Sequence, residues 1–219
     1  MKNLNRTFPI FGVLAIIFMV LGAPSLARAK TLSYTVLRDG KPIGAHSYDI
    51  NANGNETTVK VSTDIAVKIL FATVYQFVHS STEQWDGDKL ISIKSTTNDD
   101  GVPKKLDAMK KGTVIAVNSI VKKDDRASKA PQNAIPASLW NPLTISQNKL
   151  LNTLDGSMMK VSVEDLGEET VPANGGTVKA HRYKITGELT RELWFDDSGV
   201  LVRVRFPAKD NSEIVYALN

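Results

Sequence analysis

The chain has 219 residues, 27 Lys and Arg against 23 Asp and Glu, and no cysteine. With 42% hydrophobic and 23% charged residues it has the composition of a globular domain, which argues against a disordered tail or a multi-span membrane protein. Lack of cysteine excludes a disulfide framework, a thiolate zinc site, a thiol nucleophile and a thioether-linked lipid anchor.

Residues 1–29 read as an export signal. Lys2 and Arg6 precede fourteen uncharged, mostly apolar residues from Ile10 to Ala23, the length of a secretory apolar segment and short for a membrane span. Pro24 interrupts any helix, and Ala27-Arg28-Ala29 presents small residues to a signal peptidase, so cleavage is expected after Ala29. An uncleaved anchor is the alternative. A cleaved chain is expected in the periplasm of a Gram-negative envelope or outside the cell. Removing Lys2, Arg6 and Arg28 leaves 24 basic against 23 acidic residues. The basic character then concentrates in 102–130, which holds eight bases and three acids.

Residues 30–219 are expected to form a single β domain. Turn-forming pairs recur at short intervals, among them Asp39-Gly40, Asn53-Gly54, Asp86-Gly87, Asp100-Gly101, Lys111-Gly112, Asn174-Gly175 and Ser198-Gly199. Between them lie runs of Val, Ile, Thr and Tyr, as in antiparallel hairpins. The clearest run places Val59, Val61, Thr63, Ile65, Val67 and Ile69 on one parity and Lys60, Ser62, Asp64, Ala66 and Lys68 on the other. That period of two is a strand with one face inward. Near the C-terminus, a four-residue connection at Asp196–Gly199 would set Phe195 opposite Val200, Leu193 opposite Val202 and Glu192 opposite Arg203.

Two segments depart from alternation. Residues 69–78 are apolar on both parities, and two-sided burial is the simplest expectation; an apolar cavity wall or a membrane-facing surface is the alternative. Residues 131–150 contain Pro131, Pro136 and Pro142, which prevent regular pairing. A loop or short helix is expected there, with Ser138 as its cap and Leu139 and Trp140 packed inward.

Catalytic patterns are scarce. His46, His79 and His181 are far apart and show no metal-ligand spacing, so no metal site is read from them. No Gly-x-Ser-x-Gly occurs, and Ser138 is the one serine in a context worth testing as a nucleophile. The acidic pairs sit beside turn residues, and there is no phosphate-binding glycine loop or dinucleotide fingerprint, hence no cofactor expectation. The 102–130 stretch lacks interleaved aromatics, so nucleic acid is not an expected partner. A solvated lysine-rich loop is the plain reading there, and peripheral contact with an anionic surface the functional one.

Several motifs occur in a familiar order: Tyr34-Thr35-Val36 with Asp39-Gly40-Lys41-Pro42-Ile43-Gly44-Ala45-His46, Tyr75-Gln76-Phe77-Val78-His79, Glu83-Gln84-Trp85, Ser138-Leu139-Trp140-Asn141-Pro142, Leu193-Trp194-Phe195-Asp196 and Ile214-Val215-Tyr216-Ala217-Leu218. The chain resembles the exported bacterial domain-of-unknown-function family 6134 and, more distantly, family 3108. That resemblance covers 31–219 and carries over no catalytic residues. It implies a mainly β fold, a curved antiparallel sheet or barrel-like meander of about 10–12 strands, for which the half-barrel lipoprotein carriers are a distant analogy.

Three functions stay open on this reading. The first is a non-catalytic envelope protein that binds a lipid, a lipidated protein or another hydrophobic ligand, lined by Leu70, Phe71, Tyr75, Phe77 and Trp140. The second is an assembly factor with a filled core acting through protein contacts. The third is a hydrolase using His46, His79 or Ser138, the polar residues to test first.

Overall fold

The computed structural model describes residues 28–219. The expected export segment therefore lies outside the described residues, except that Arg28 and Ala29 already pair with Ala52 and Asn51 in the first hairpin. Among the described residues no helix is long and apolar enough to cross a membrane.

Among the described residues fourteen strands form one antiparallel sheet: β1 (Arg28–Arg38), β2 (Lys41–Asn53), β3 (Glu56–Ile69), β4 (Ala72–Asp86), β5 (Lys89–Asp99), β6 (Val102–Lys111), β7 (Val114–Val121), β8 (Asp124–Pro131), β9 (Lys149–Leu151), β10 (Met158–Ala173), β11 (Gly176–Gly187), β12 (Arg191–Phe195), β13 (Leu201–Pro207) and β14 (Glu213–Leu218). Neighbours in sequence are neighbours in space, and β1 pairs with β14, so β8 and β9 are the two edges. The sheet curls into a nearly closed barrel, and the chain between its edges fills the interior.

The strand count exceeds the expected 10–12 because two hairpins turn without turn-forming residues. Most turns carry a positive-φ glycine, such as Gly54, Gly87 and Gly112, where the absent Cβ removes the steric cost. Leu70 (φ 55) takes that position between β3 and β4, and Lys122 (φ 60) takes it between β7 and β8. The lysine-rich stretch 102–130 is accordingly three strands rather than a loop, with Lys104 paired to Asp99 at 2.9 Å and Asp107 to Lys94 at 3.3 Å.

Alternation sets what faces inward. Val59, Val61, Thr63, Ile65 and Val67 of β3 are buried, as the period of two predicts. Glycine at position 44 lets β2 approach β3 closely, since a Cβ there would lie 2.0 Å from the Asp64 carbonyl oxygen. Around the barrel, Trp85, Leu90, Ile93, Ile115, Leu193, Trp194 and Leu201 join one core, each stabilising by about 1.5–3 kcal/mol if fully buried.

The C-terminal hairpin has a different register from the expected one. Glu192 faces Arg205, Leu193 faces Val204, Trp194 faces Arg203 and Phe195 faces Leu201, with a bulge beside Phe195. The bulge lets Leu201 and Val202 both be buried and shifts the charge pairing. Glu192 binds Arg205 at 2.6 Å and Arg182 at 2.9 Å, while the Arg203 guanidinium lies 5.8 Å from the Trp194 ring centre.

The proline-rich segment enters the barrel as an irregular plug with a 3-10 helix at Pro142–Ser146. Its cap is Asn141, whose side-chain oxygen accepts from the Leu143 amide at 2.9 Å; the expected cap, Ser138, lies one turn earlier. The Ser138 carbonyl is held instead by the Tyr48 hydroxyl at 2.6 Å. Gly156, in the following turn, sits on Val117 and Leu106 of the opposite wall.

Contrary to the expected two-sided burial, residues 70–76 form an exposed hairpin tip, and of the two residues that follow, Phe77 turns inward and Val78 outward. Leu70 is 90% and Phe71 102% exposed, and Val74, Tyr75 and Val78 are also open to solvent.

Candidate functional site

Strand pairing places Tyr34, His46, Thr63, His79 and Thr97 side by side across β1 to β5. Both imidazoles are buried and each is held by a threonine on the next strand. His46 Nδ1 lies 2.7 Å from the Thr63 hydroxyl and His79 Nδ1 lies 2.8 Å from the Thr97 hydroxyl. Burial, with neighbouring His79, lowers the pKa of His46 to about 3, and burial alone lowers that of His79 to about 4. Both rings are therefore neutral at physiological pH.

His46, Thr63 and His79 of this row form one wall of a cavity of about 220 Å³. Phe77, Ser138, Arg191, Phe206 and Tyr216 also line it. His46 stands 5.0 Å from the Tyr216 ring and 4.5 Å from Tyr48, and Phe77 stacks on His79 at 6.2 Å. His46 Nε2 is buried without a hydrogen-bond partner, an unsatisfied polar atom beside the cavity.

Arg191, at the start of β12, supplies the charge. Its guanidinium lies 3.6 Å over the Phe206 ring and donates to the Thr190 carbonyl at 2.7 Å. Burial lowers its pKa. Neighbouring Arg182 and Arg205 share Glu192, but among the described ion pairs none involves Arg191. Arg191 and Phe206 also line a groove on the outside of the wall, so this cation stands where the cavity meets the surface.

Below the cavity lies Glu83, fully buried. One carboxylate oxygen accepts both the Trp85 and the Trp140 indole N–H, at 3.0 and 2.9 Å. Burial raises its pKa, and these two donors with the nearby Ser138 hydroxyl oppose that shift. The Ser138 hydroxyl nevertheless completes no hydrogen bond, and the second Glu83 oxygen has no partner. Glu83 thus fixes the two tryptophans, which meet edge to face at 5.6 Å, and with them the plug.

The residues expected to line a ligand site divide. Phe77 is in the cavity wall, where the polar residues to test first, His46, His79 and Ser138, also stand. Leu70, Phe71 and Tyr75 do not reach it: the first two project from the β3–β4 tip, and Tyr75 donates to Asp99 at 3.0 Å on the surface. Trp140 packs beneath the cavity on Trp85. His181 is remote from the other histidines and pairs with Asp165 at 2.6 Å. Ser138 bonds neither imidazole, so it is not paired as a nucleophile with His46 or His79. Among the described residues no group of three or more metal-ligating side chains occurs.

Arg191, Thr63, Tyr216 and Glu83 escaped the sequence reading. For Glu83 a signal existed: Phe77, His79, Ser81, Glu83 and Trp85 share one parity of β4, which turns every one of them inward.

The model of the family described as a domain of unknown function, DUF6134, matches residues 34–219. The chain belongs to this family. Among solved structures it is similar to a β-barrel-like protein of the domain of unknown function DUF1849 from Brucella abortus, with a TM-score of 0.60 and 12% identity. That likeness covers 90% of this chain and 98% of the Brucella protein, and it establishes the fold alone. Comparison with curated proteins finds no match.

Proposed function

We propose that this member of DUF6134 is a non-catalytic protein of the bacterial envelope that holds a small amphipathic ligand with an anionic head group in its barrel. Arg191 carries this reading: a cation without a carboxylate partner, stacked on Phe206 at the junction of cavity and surface. A half-buried guanidinium held against a ring and without a carboxylate partner is poorly compensated, and a ligand carboxylate or phosphate would supply that partner through charge-assisted hydrogen bonds. The ring-rich wall of Phe77, Phe206, Tyr216 and Tyr48 then receives an apolar body. An apolar cavity of about 150 Å³ admits benzene, so the space here suits a bicyclic ring or a short acyl chain. The neutral imidazoles of His46 and His79 add hydrogen-bonding capacity without a second charge.

The test compares 1-naphthoate with its neutral analogue 1-naphthalenemethanol by fluorescence titration of the wild type and Arg191→Met. Naphthoate should bind the wild type and lose roughly 10- to 100-fold in affinity in the variant, the equivalent of a charge-assisted hydrogen bond. The neutral analogue should bind both proteins alike. Absence of naphthoate binding, or equal binding by the variant, overturns the proposal in favour of a barrel that acts through protein contacts.

A further inference from the structure

Consecutive turns of a meander alternate between the two ends of the barrel, so the β1–β2, β3–β4, β5–β6 and β7–β8 turns share one end. The opposite end carries the β2–β3, β4–β5 and β6–β7 turns, whose first residues are Gly54, Gly87 and Gly112, each at positive φ. At the first end Asp39 and Asp100 take the first position with Gly40 and Gly101 behind them, whereas the Leu70-Phe71 and Lys122-Lys123 turns hold no glycine at either position. A branched or long side chain at positive φ costs stability, and a Leu-Phe pair in water buries nothing. Neither choice serves folding.

The rest of that end is consistent with a single use. Five of the exposed large apolar residues, Leu70, Phe71, Val74, Tyr75 and Val78, belong to the one hairpin. Ile120, also exposed, stands beside the dilysine turn. Lys68 flanks the tip, and Lys41 and Lys209 occupy other turns of the same end. No described ion pair involves Lys41, Lys68, Lys122, Lys123 or Lys209, whereas Asp99 and Asp210 are already taken by Lys104 and Arg38. Asp39, Asp100, Asp124, Glu188 and Glu213 are the remaining acids at these turns, Glu213 lying 3.6 Å from Arg205, and none of them is in the β3–β4 tip.

We infer that the β3–β4 tip is a docking element for an anionic lipid bilayer, with Leu70 and Phe71 entering the interface and the lysines of the neighbouring turns meeting head groups. Apolar side chains projected on a rigid turn and flanked by lysine match the two attractions a peripheral membrane site combines, apolar burial and surface potential. Such an exposed apolar patch is otherwise a liability in a water-soluble protein. Leu189, in the β11–β12 turn, and Arg191, which opens β12, bring the wall of the cavity to this same end. The inference stands independently of what the cavity holds.

The test is flotation of the purified protein with phosphatidylcholine vesicles and with phosphatidylcholine–phosphatidylglycerol vesicles. The wild type should float with the anionic vesicles and be released by salt. Leu70→Gly with Phe71→Ser restores a glycine turn, so it should fold with an unchanged or higher Tm yet lose at least tenfold in partitioning. Lys122→Gly with Lys123→Ser should weaken binding to anionic vesicles only. Arg191→Met should float like the wild type, separating this site from the cavity. A wild type that stays with the soluble fraction in both mixtures overturns the inference and points to a protein partner at the tip. So does a Leu70→Gly, Phe71→Ser protein that floats undiminished.

Discussion

The two halves of the β3–β4 hairpin contrast sharply. In the half nearer β3's start, every second residue is buried: Val59, Val61 and Thr63 face Glu83, Ser81 and His79, and Trp85 is buried beyond them. In the tip half, the more apolar sequence is the exposed one. Burial in this sheet follows the parity of a residue along its strand, not the apolar density around it. A polar residue such as Glu83 is drawn inside because alternation puts it there, and two indole donors make that position tolerable. An apolar residue such as Phe71 is left outside because its strand has run past the end of the barrel.

The largest expected effect comes from truncating the buried half. Trp85→Ala removes a fully buried ring and leaves Glu83 with one indole donor, and should cost about 3–5 kcal/mol of unfolding free energy in denaturant titrations. A loss below about 1 kcal/mol would mean that the two halves are not distinguished by burial.

Acid should act on the same half. His46 and His79 have folded pKa values of about 3 and about 4 against 6.5 ordinarily. Between those limits the unfolded chain binds more protons than the folded one. Stability is therefore complete above about pH 6.5 and falls as the pH drops towards 4, by up to about 1.4 kcal/mol per pH unit for each histidine. Glu83, with its pKa raised by burial, works the opposite way, since its protonated form favours the fold as pH falls. Replacing both histidines by Gln should flatten the decline in Tm between pH 6.5 and 4; an unchanged slope would remove them as its cause.

Where β2 meets the buried part of β3, Gly44→Ala should cost roughly 1–3 kcal/mol by overpacking, because the added methyl meets backbone rather than a movable side chain. A neutral result in thermal melts would show that the two strands are free to separate. The smallest effect belongs to the tip. Leu70→Gly relieves positive φ while adding freedom to the unfolded chain, so stability should move by less than about 1 kcal/mol. A substantial loss would show that the tip packs against something and would close the contrast between the halves.

Much of the fold was legible in sequence because alternation and glycine turns are local. The β3 pattern and the Asp39-Gly40 and Asp100-Gly101 turns each followed from neighbouring residues alone. What escaped were departures from local preference: Leu70 and Lys122 in glycine positions, and the bulge beside Phe195 that moved Glu192 from Arg203 to Arg205. The cavity was harder still. His46 and His79 are 33 positions apart in sequence, and only β3 between β2 and β4 makes them neighbours through Thr63. Arg191 carries no sequence mark of its site, since its lack of a carboxylate partner is a property of three strands together.

The most direct measurement is a map of backbone amide chemical shifts on adding 1-naphthoate, read in both halves of the β3–β4 hairpin at once. A ligand held by Arg191 in the cavity should shift the amides of Thr63 and His79, with those of His46, Arg191 and Tyr216, and leave Leu70 and Phe71 unmoved. Shifts confined to the tip, or none at saturation, would contradict a ligand-binding cavity in this barrel.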